Sequence, residues 1–182
     1  MPRIIAVDPG LRGAICFLDP GNLVAIHDMP VGLGGWVDAI RLRDFIRKFQ
    51  AKHPAHDCHA VVESQAKHPA HDCHAVVENV WSHPKEGVTS AHRFGRALGV
   101  IHAVLVIELG SEPYLVIPQV WKRYFGLIKQ DKEASRQLAL QRWPMCGHFL
   151  ARKLDHQRAE ALLIAEWYLH HLKGKPEQRF AA

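Results

Sequence analysis

The sequence contains no apolar run approaching the ~18–20 residues that a membrane-spanning helix requires. It enters an apolar stretch at Ile4 without a preceding basic segment or cleavage motif, so it shows no secretion signal. Only 4 cysteines occur among the 182 residues, and they lack the paired spacing of a disulfide framework. We therefore expect a protein of the reducing cytoplasm that has no membrane association.

A strong excess of charge of one sign is also absent. The chain has 23 Lys and Arg residues against 18 Asp and Glu residues, which leaves a formal net charge of +5. This small excess is a weak indication of a polyanionic partner. Hydrophobic residues make up 48% and charged residues 23%, which is typical of one globular domain large enough to bury a core.

A segment of the chain occurs twice in tandem, with a period of 15 residues. Residues 50–63 and 65–78 spell the same letters, QAKHPAHDCHAVVE. Solenoid repeats are ~20–50 residues long and need about three copies, so two identical copies of this length indicate a tandem duplication, either natural or artificial. Each copy adds three histidines and one cysteine, but the spacing in HPAHDCH matches no zinc finger or ribbon. We expect no structural zinc site there.

Hydrophobic periodicity and turn residues predict the secondary structure in the order βββαβαβαα. The predicted strands cover residues 4–7, 13–18, 23–28, 75–77 and 114–117. The predicted helices cover residues 36–49, 89–109, 131–143 and 155–172. This order predicts an α/β fold, with a single domain over residues 1–182, the duplication at 50–79 and a short polar tail from about 174.

Acidic residues end two of these strands. Asp8 closes the first buried strand and Glu78 the fourth, where a carboxylate is costly unless it is paired, hydrogen-bonded or bound to metal. On the last helix His156 and Glu160 lie about 40° apart, whereas Asp155 lies roughly 140° from Glu160. A structural role is the alternative for each, for example an N-cap at Asp155. Carboxylates with one histidine favour Mg²⁺ or Mn²⁺, which can hydrolyse a phosphodiester when two ions act together.

Three runs in this order, IIAVDPGLRGAICFLD, AVVENVW and DHQRAEALLIA, resemble the acidic motifs of RuvC-type Holliday junction resolvases, most closely those of the phage branch. The likeness spans about residues 3–170. It implies a ribonuclease H-like fold with a mixed five-stranded sheet flanked by helices. It implies an endonuclease that resolves branched DNA by paired nicks and binds two Mg²⁺ ions, or Mn²⁺, per active site. It also implies a homodimer joined through helix 89–109, a bacterial or phage-infected cell, and no small-molecule cofactor.

The resemblance also implies a set of metal ligands, namely Asp8, Glu78, His156 and Glu160. The letters NVW after Glu78 continue the family pattern, whereas SQAKHP follows Glu63. We therefore interpret Glu63 as a duplicate of the motif that does not bind metal. The acid of the last helix is more often Asp than Glu in this family. Gln157 and His156 occupy the two usual places of the fourth ligand, and some relatives have histidine there. Asp155 stays open as an alternative catalytic ligand or as a partner that orients one.

A basic segment extends from residue 118 to residue 153. It contains eight Lys or Arg residues against two acids, and beside an acidic metal site it suits the phosphates of DNA. Lys132 resembles a family lysine near the scissile phosphate, so it joins the predicted catalytic residues. A solvated helical face is the alternative for any single lysine. The predicted DNA-binding residues are Trp81, which would stack on an unpaired base, and His83, Lys85, Arg93, Lys122, Arg123, Lys129 and Arg136.

Three other functions are compatible with parts of this pattern. Nucleotide-binding proteins of the sugar-kinase and actin type also have a phosphate loop after a first-strand Asp, but that fold needs two such domains. A catalytically inactive DNA-binding module would keep the basic segment and lose the metal cluster. A nuclease of the same fold could act on an RNA/DNA hybrid rather than on branched DNA.

The duplicated strand ending allows a direct test of the metal-ligand assignment. Glu63→Gln should leave Mg²⁺-dependent cleavage of a synthetic four-way junction intact, because Glu78 supplies the ligand. Glu78→Gln makes the same chemical change in the other copy and should abolish cleavage. Denaturing gels of end-labelled junctions measure both activities, and loss of cleavage in the Glu63 variant would reverse the assignment.

Overall fold

A five-stranded sheet forms the centre of the molecule, whose computed structural model describes residues 2–19, 22–52, 73–80 and 87–173. The strands lie in the order β3-β2-β1-β4-β5. Their bounds are β1 Arg3–Asp8, β2 Ala14–Asp19, β3 Asn22–Asp28, β4 Cys73–Glu78 and β5 Tyr114–Val116. The strand β4 therefore comes from the second copy of the duplicated sequence, and the first copy from residue 53 onward lies outside the described residues.

The sheet combines two kinds of strand pairing. β1 pairs antiparallel with β2, and β2 pairs antiparallel with β3, as expected of strands joined by short turns. β1 pairs in parallel with β4, and β4 pairs in parallel with β5. Parallel neighbours need a crossover, and a helix lies between the strands of each pair in the sequence. The predicted mixed five-stranded α/β fold is confirmed.

In the described part of the chain, five α-helices flank the sheet: α1 Ala39–Lys52, α2 Val88–Leu109, α3 Pro118–Tyr124, α4 Lys132–Arg142 and α5 His156–Lys173. The helix predicted from residue 36 begins three residues later because Asp38 caps it. The Asp38 side chain accepts hydrogen bonds from the backbone N–H groups of Ile40 and Arg41 at 3.1 and 3.0 Å. None of the described helices is long and apolar enough to cross a membrane.

Alternate side chains of β1 enter two separate cores. Ile4 and Ala6 pack in the core that contains α5, whereas Ile5 and Val7 pack in the core that contains α1 and α2. The same alternation directs Asp8 to the α5 face of the sheet. Glu78 belongs to this face too, because Val76, two residues before it, packs in the α5 core. Strand geometry thus brings both strand-ending acids towards the same helix.

The turn between β1 and β2 leaves no room for a side chain at Gly13. A Cβ atom there would lie 2.0 Å from the backbone oxygen of Asp8, and that oxygen belongs to the paired strand. Gly13→Ala should therefore lower the free energy of unfolding by about 3 kcal/mol, as measured by urea denaturation.

Gly32→Ala provides the matched control. A Cβ atom at Gly32 would meet its nearest neighbours at an ordinary contact distance of 3.9 Å. The substitution should change the free energy of unfolding by less than about 0.5 kcal/mol. A Gly13→Ala protein as stable as the control would contradict the tight packing of this turn.

Candidate active site

Three carboxylates come together at one end of the sheet. Asp8 ends β1 and Glu78 ends β4, and Val7 lies opposite Val77 in the parallel pairing of these strands. The two acids are therefore neighbours at the carboxyl ends of adjacent strands. Glu160 projects from α5 and lies close enough to raise the pKa of both Asp8 and Glu78. The structure thus brings together three of the four predicted metal-binding residues.

The charge of this acid cluster is only partly compensated by its surroundings. Burial raises the pKa of Asp8 well above its usual range, and the carboxylates of Glu78 and Glu160 raise it further, against the opposing effect of Lys122 and Lys132. Burial also raises the pKa of Glu78, although a hydrogen bond from Trp121 opposes that rise. A bound cation would relieve the repulsion at this point.

Two consecutive residues of α3 contact the acid cluster. The fully buried indole of Trp121 donates from Nε1 to Glu78 Oε1 at 2.8 Å. The Lys122 ammonium lies 3.2 Å from Glu160 Oε1, which also accepts a hydrogen bond from the Ser135 hydroxyl at 3.1 Å. Sequence reasoning did not identify Trp121 or Ser135, because no local spacing relates either residue to the acids. It assigned Lys122 to DNA, whereas here the lysine contacts an acid of the site.

His156 has one ring nitrogen without a hydrogen-bond partner among the described residues. It lines the same cleft as Asp8 and Glu160. Its Nδ1 lies 3.3 Å from the backbone oxygen of Lys153, which can only accept, so Nδ1 carries the proton. Its Nε2 is buried and has no hydrogen-bond partner among the described residues. An imidazole oriented in this way through Nδ1 is suited to bind a metal ion through Nε2.

Asp155, the alternative to His156, is surrounded by arginine groups. Its carboxylate accepts hydrogen bonds from the backbone N–H of Arg152 at 2.7 Å and from the guanidinium of Arg152 at 2.7 and 3.1 Å. Burial raises the pKa of Asp155, but these hydrogen bonds and the charges of Arg152 and Arg158 outweigh burial and lower the pKa overall. Arg158 also pairs with Asp28 at the end of β3, through two contacts of 2.6 Å. Asp155 thus anchors the turn that precedes His156.

A cleft of about 420 Å³ contains Asp8, Glu160 and His156 in its lining. Its lining also includes three cationic side chains from three different elements, namely Arg12 from the β1–β2 turn, Arg93 from α2 and Lys132 from α4. Arg93 and Lys132 were predicted to act on the substrate. Sequence reasoning missed Arg12, although it lies four residues after Asp8. Acidic groups are what a divalent cation requires and cationic groups are what a phosphate requires, and this cleft contains both kinds.

The remaining predicted DNA-binding residues have varied surroundings. Arg123 and Lys129 are exposed, and Lys129 has a φ of 61°, which is uncommon for a residue other than glycine. Arg136 is engaged internally, since it donates to the Glu133 carboxylate at 2.9 Å and to the Leu150 backbone oxygen at 2.7 Å. Four residues singled out in the sequence lie outside the described residues: Glu63, Trp81, His83 and Lys85.

The donor atoms of the acid cluster fit Mg²⁺ or Mn²⁺, because carboxylate oxygens and one imidazole nitrogen are ligands that these ions accept. They are not arranged as a closed cage. Among the residues that the structure describes, no group of three or more His, Cys, Asp or Glu side chains could hold a metal ion as it stands. In this arrangement one oxygen of Glu78 accepts a hydrogen bond from Trp121, and one oxygen of Glu160 is paired with Lys122.

Comparison with solved structures identifies the fold. The structure of T. thermophilus RuvC in complex with a Holliday junction substrate matches with a TM-score of 0.58 and 16% identity, over 97% of this chain and 100% of that chain. The chain has the RuvC fold. A Thermus thermophilus RuvC structure matches with a TM-score of 0.53 and 16% identity, over 96% of this chain and 99% of that chain. No protein-family model matches the sequence, and no curated protein matches it.

Asp8→Asn should stabilise the metal-free protein. The pKa of Asp8 is higher in the folded protein than in the unfolded chain. The contribution of Asp8 to the free energy of unfolding is therefore most favourable at a pH below its pKa in the unfolded chain, and it is lost as the pH rises through its pKa in the folded protein. Removing the charge should therefore raise the free energy of unfolding at pH 7 by about 1 kcal/mol, and the gain should shrink towards about pH 4. Urea denaturation in EDTA at both pH values measures this effect.

Asp155→Asn is the matched variant, with the opposite expected sign. The pKa of Asp155 is lower in the folded protein than in the unfolded chain. Asp155 therefore stabilises the folded protein at a pH above its pKa in the unfolded chain, and this stabilisation is lost as the pH falls through its pKa in the folded protein. The substitution should lower the free energy of unfolding at pH 7 by about 2 kcal/mol. Effects of the same sign in both variants would contradict the distinct roles of the two aspartates.

Proposed function

We propose that the protein is a metal-dependent, structure-selective endonuclease that resolves four-way (Holliday) and other branched DNA by paired nicks. One observation carries the proposal: Asp8, Glu160 and His156 line a single cleft together with three cationic side chains. Phosphodiester hydrolysis needs ligands for a cation and donors for a phosphate, and this cleft supplies both. The fold adds support, since one solved structure with it is a RuvC bound to a Holliday junction substrate.

We assign metal binding to Asp8, Glu78, Glu160 and His156. These residues would hold two Mg²⁺ ions, for which Mn²⁺ would substitute; the ions would supply an activated water and stabilise the leaving oxygen, so that the products would carry 5′-phosphate and 3′-hydroxyl ends. The surrounding residues orient the ligands. Trp121 holds one oxygen of Glu78, and the backbone oxygen of Lys153 holds the ring of His156.

The cationic side chains of the cleft are the proposed contacts of the scissile strand. Lys132 and Arg93 enter the cleft from separate helices, so together they would hold a phosphate from two sides and balance its charge. Arg12 adds a third donor from the β1–β2 turn. The exposed Arg123 and Lys129 would extend the same positive surface along the DNA backbone, with binding that weakens as salt rises.

We further propose that the protein acts as a homodimer. The helix α2 exposes Gly95, Gly99, Ala103 and Ile107 at intervals of four residues, and Ile107 is 75% exposed. A Cβ atom added at either glycine would meet nothing within 4 Å, so this face allows close approach of another backbone. A two-fold dimer would present two active sites to a substrate that has two-fold symmetry.

A synthetic four-way junction should be cut in Mg²⁺ in preference to a linear duplex of the same arm sequence. Asp8→Asn should lower the cleavage rate by about 10³-fold, because it removes a charged metal ligand. Binding of the junction should persist, because phosphate contacts lie elsewhere in the cleft. Cleavage is measured on denaturing gels and binding by a mobility shift.

Asp44→Asn is the control for Asp8→Asn, since Asp44 lies on α1 and pairs with Arg43, away from the cleft; its rate should equal that of the wild type. Equal cleavage of junction and linear duplex would refute the structure selectivity, and an active Asp8→Asn protein would refute the site. Faster cleavage of an RNA/DNA hybrid would favour that substrate instead.

A further inference from the structure

Lys122 places a positive charge beside the acid cluster of Asp8, Glu78 and Glu160. Its ammonium is 3.2 Å from Glu160 Oε1, and its charge lowers the pKa of both Asp8 and Glu78. The two partners are largely shielded from water, with 29% of the lysine side chain and 14% of the glutamate side chain exposed. The lysine thus interacts electrostatically with all three carboxylates.

We propose that Lys122 is the counter-cation of the acid cluster in the metal-free protein. A divalent metal ion displaces the lysine ammonium from Glu160 when it binds. This inference rests on the proposed metal site. It assigns to Lys122 a role in the metal-free protein, namely to satisfy the carboxylates until the ion binds. The affinity for the ion is then set by competition between the ion and the lysine for the same oxygen.

The geometry of α3 allows the lysine to leave while the helix stays in place. Trp121 is fully buried and hydrogen-bonded to Glu78, so it anchors the backbone next to Lys122. The lysine has a flexible four-carbon stem, and its ammonium lies 5.0 Å from the centre of the Trp121 ring. The aromatic face offers the ammonium a favourable contact beside the acids. The Ser135 hydroxyl donates to the same oxygen of Glu160, so this oxygen would keep one hydrogen bond after the lysine moves.

The competition predicts opposite effects of one substitution on two measurements. Lys122→Met keeps the length and apolar stem of the side chain and removes the charge. The metal-free protein should unfold at a lower temperature because the carboxylates lose their counter-cation. Mn²⁺ should bind about tenfold more tightly by calorimetry, a gain of about 1.4 kcal/mol, because its competitor is gone.

Lys48→Met serves as the control, because Lys48 is an exposed lysine on α1, a helix that packs on the opposite face of the sheet. It should change neither the unfolding temperature nor the affinity for Mn²⁺. A third protein, with Lys122→Met and Glu160→Gln together, covers the case in which the single variant does not fold. Removal of the repelling charge should restore the unfolding temperature of the metal-free protein.

The outcomes separate the two proposals. If the wild type binds no Mn²⁺, the metal site is refuted, and the proposed function and this inference fail together. If the wild type binds Mn²⁺ and Lys122→Met binds it equally or more weakly, the metal site stands and the counter-cation is refuted. A double variant as unstable as the single variant would also refute it, because the lysine would then act through packing. Tighter binding together with restored stability supports the proposal.

Discussion

The parallel pairing of β1 and β4 is the interaction on which the whole site depends. It puts two strand-ending carboxylates, Asp8 and Glu78, next to each other beneath α5. Burial raises the pKa of both acids, and neighbouring carboxylates raise it further. Charged carboxylates in this position therefore lower the stability of the folded protein. The surroundings compensate with a buried indole N–H and a lysine ammonium. Such a concentration of unfavourable charge is expected where function, rather than stability, determines the residues.

Local patterns were sufficient to predict most of the secondary structure, because they record the forces that act within each element. The apolar run before Asp8, which forms β1, is an example. Contacts between distant elements were beyond such patterns. Trp121 and Glu78 are 43 residues apart, and no periodicity relates them. The duplicated segments are identical, so only their flanking letters distinguished Glu78 from Glu63.

Counting charges along the sequence also overstated the free positive charge of the basic segment. Arg136 and Arg152 form ion pairs with acidic residues three positions away in the sequence. Lys122 forms an ion pair with Glu160 of α5. Part of the charge in the cleft comes instead from Arg12 and Arg93, which belong to elements far from that segment. Net charge is additive along a chain, whereas electrostatic potential depends on which charges the fold leaves uncompensated.

The position of β4 has a consequence for chain entropy. Twenty residues separate the end of α1 at Lys52 from the start of β4 at Cys73, and removing one period of the duplication would leave five. For an ideal chain this fourfold lengthening raises the entropic cost of closure by about 1.2 kcal/mol, two doublings at about 0.6 each. That cost is small beside the ~5–15 kcal/mol that hold a typical domain folded. A connection between a helix and a strand is thus a place where a chain can acquire a whole extra segment and still assemble the same sheet.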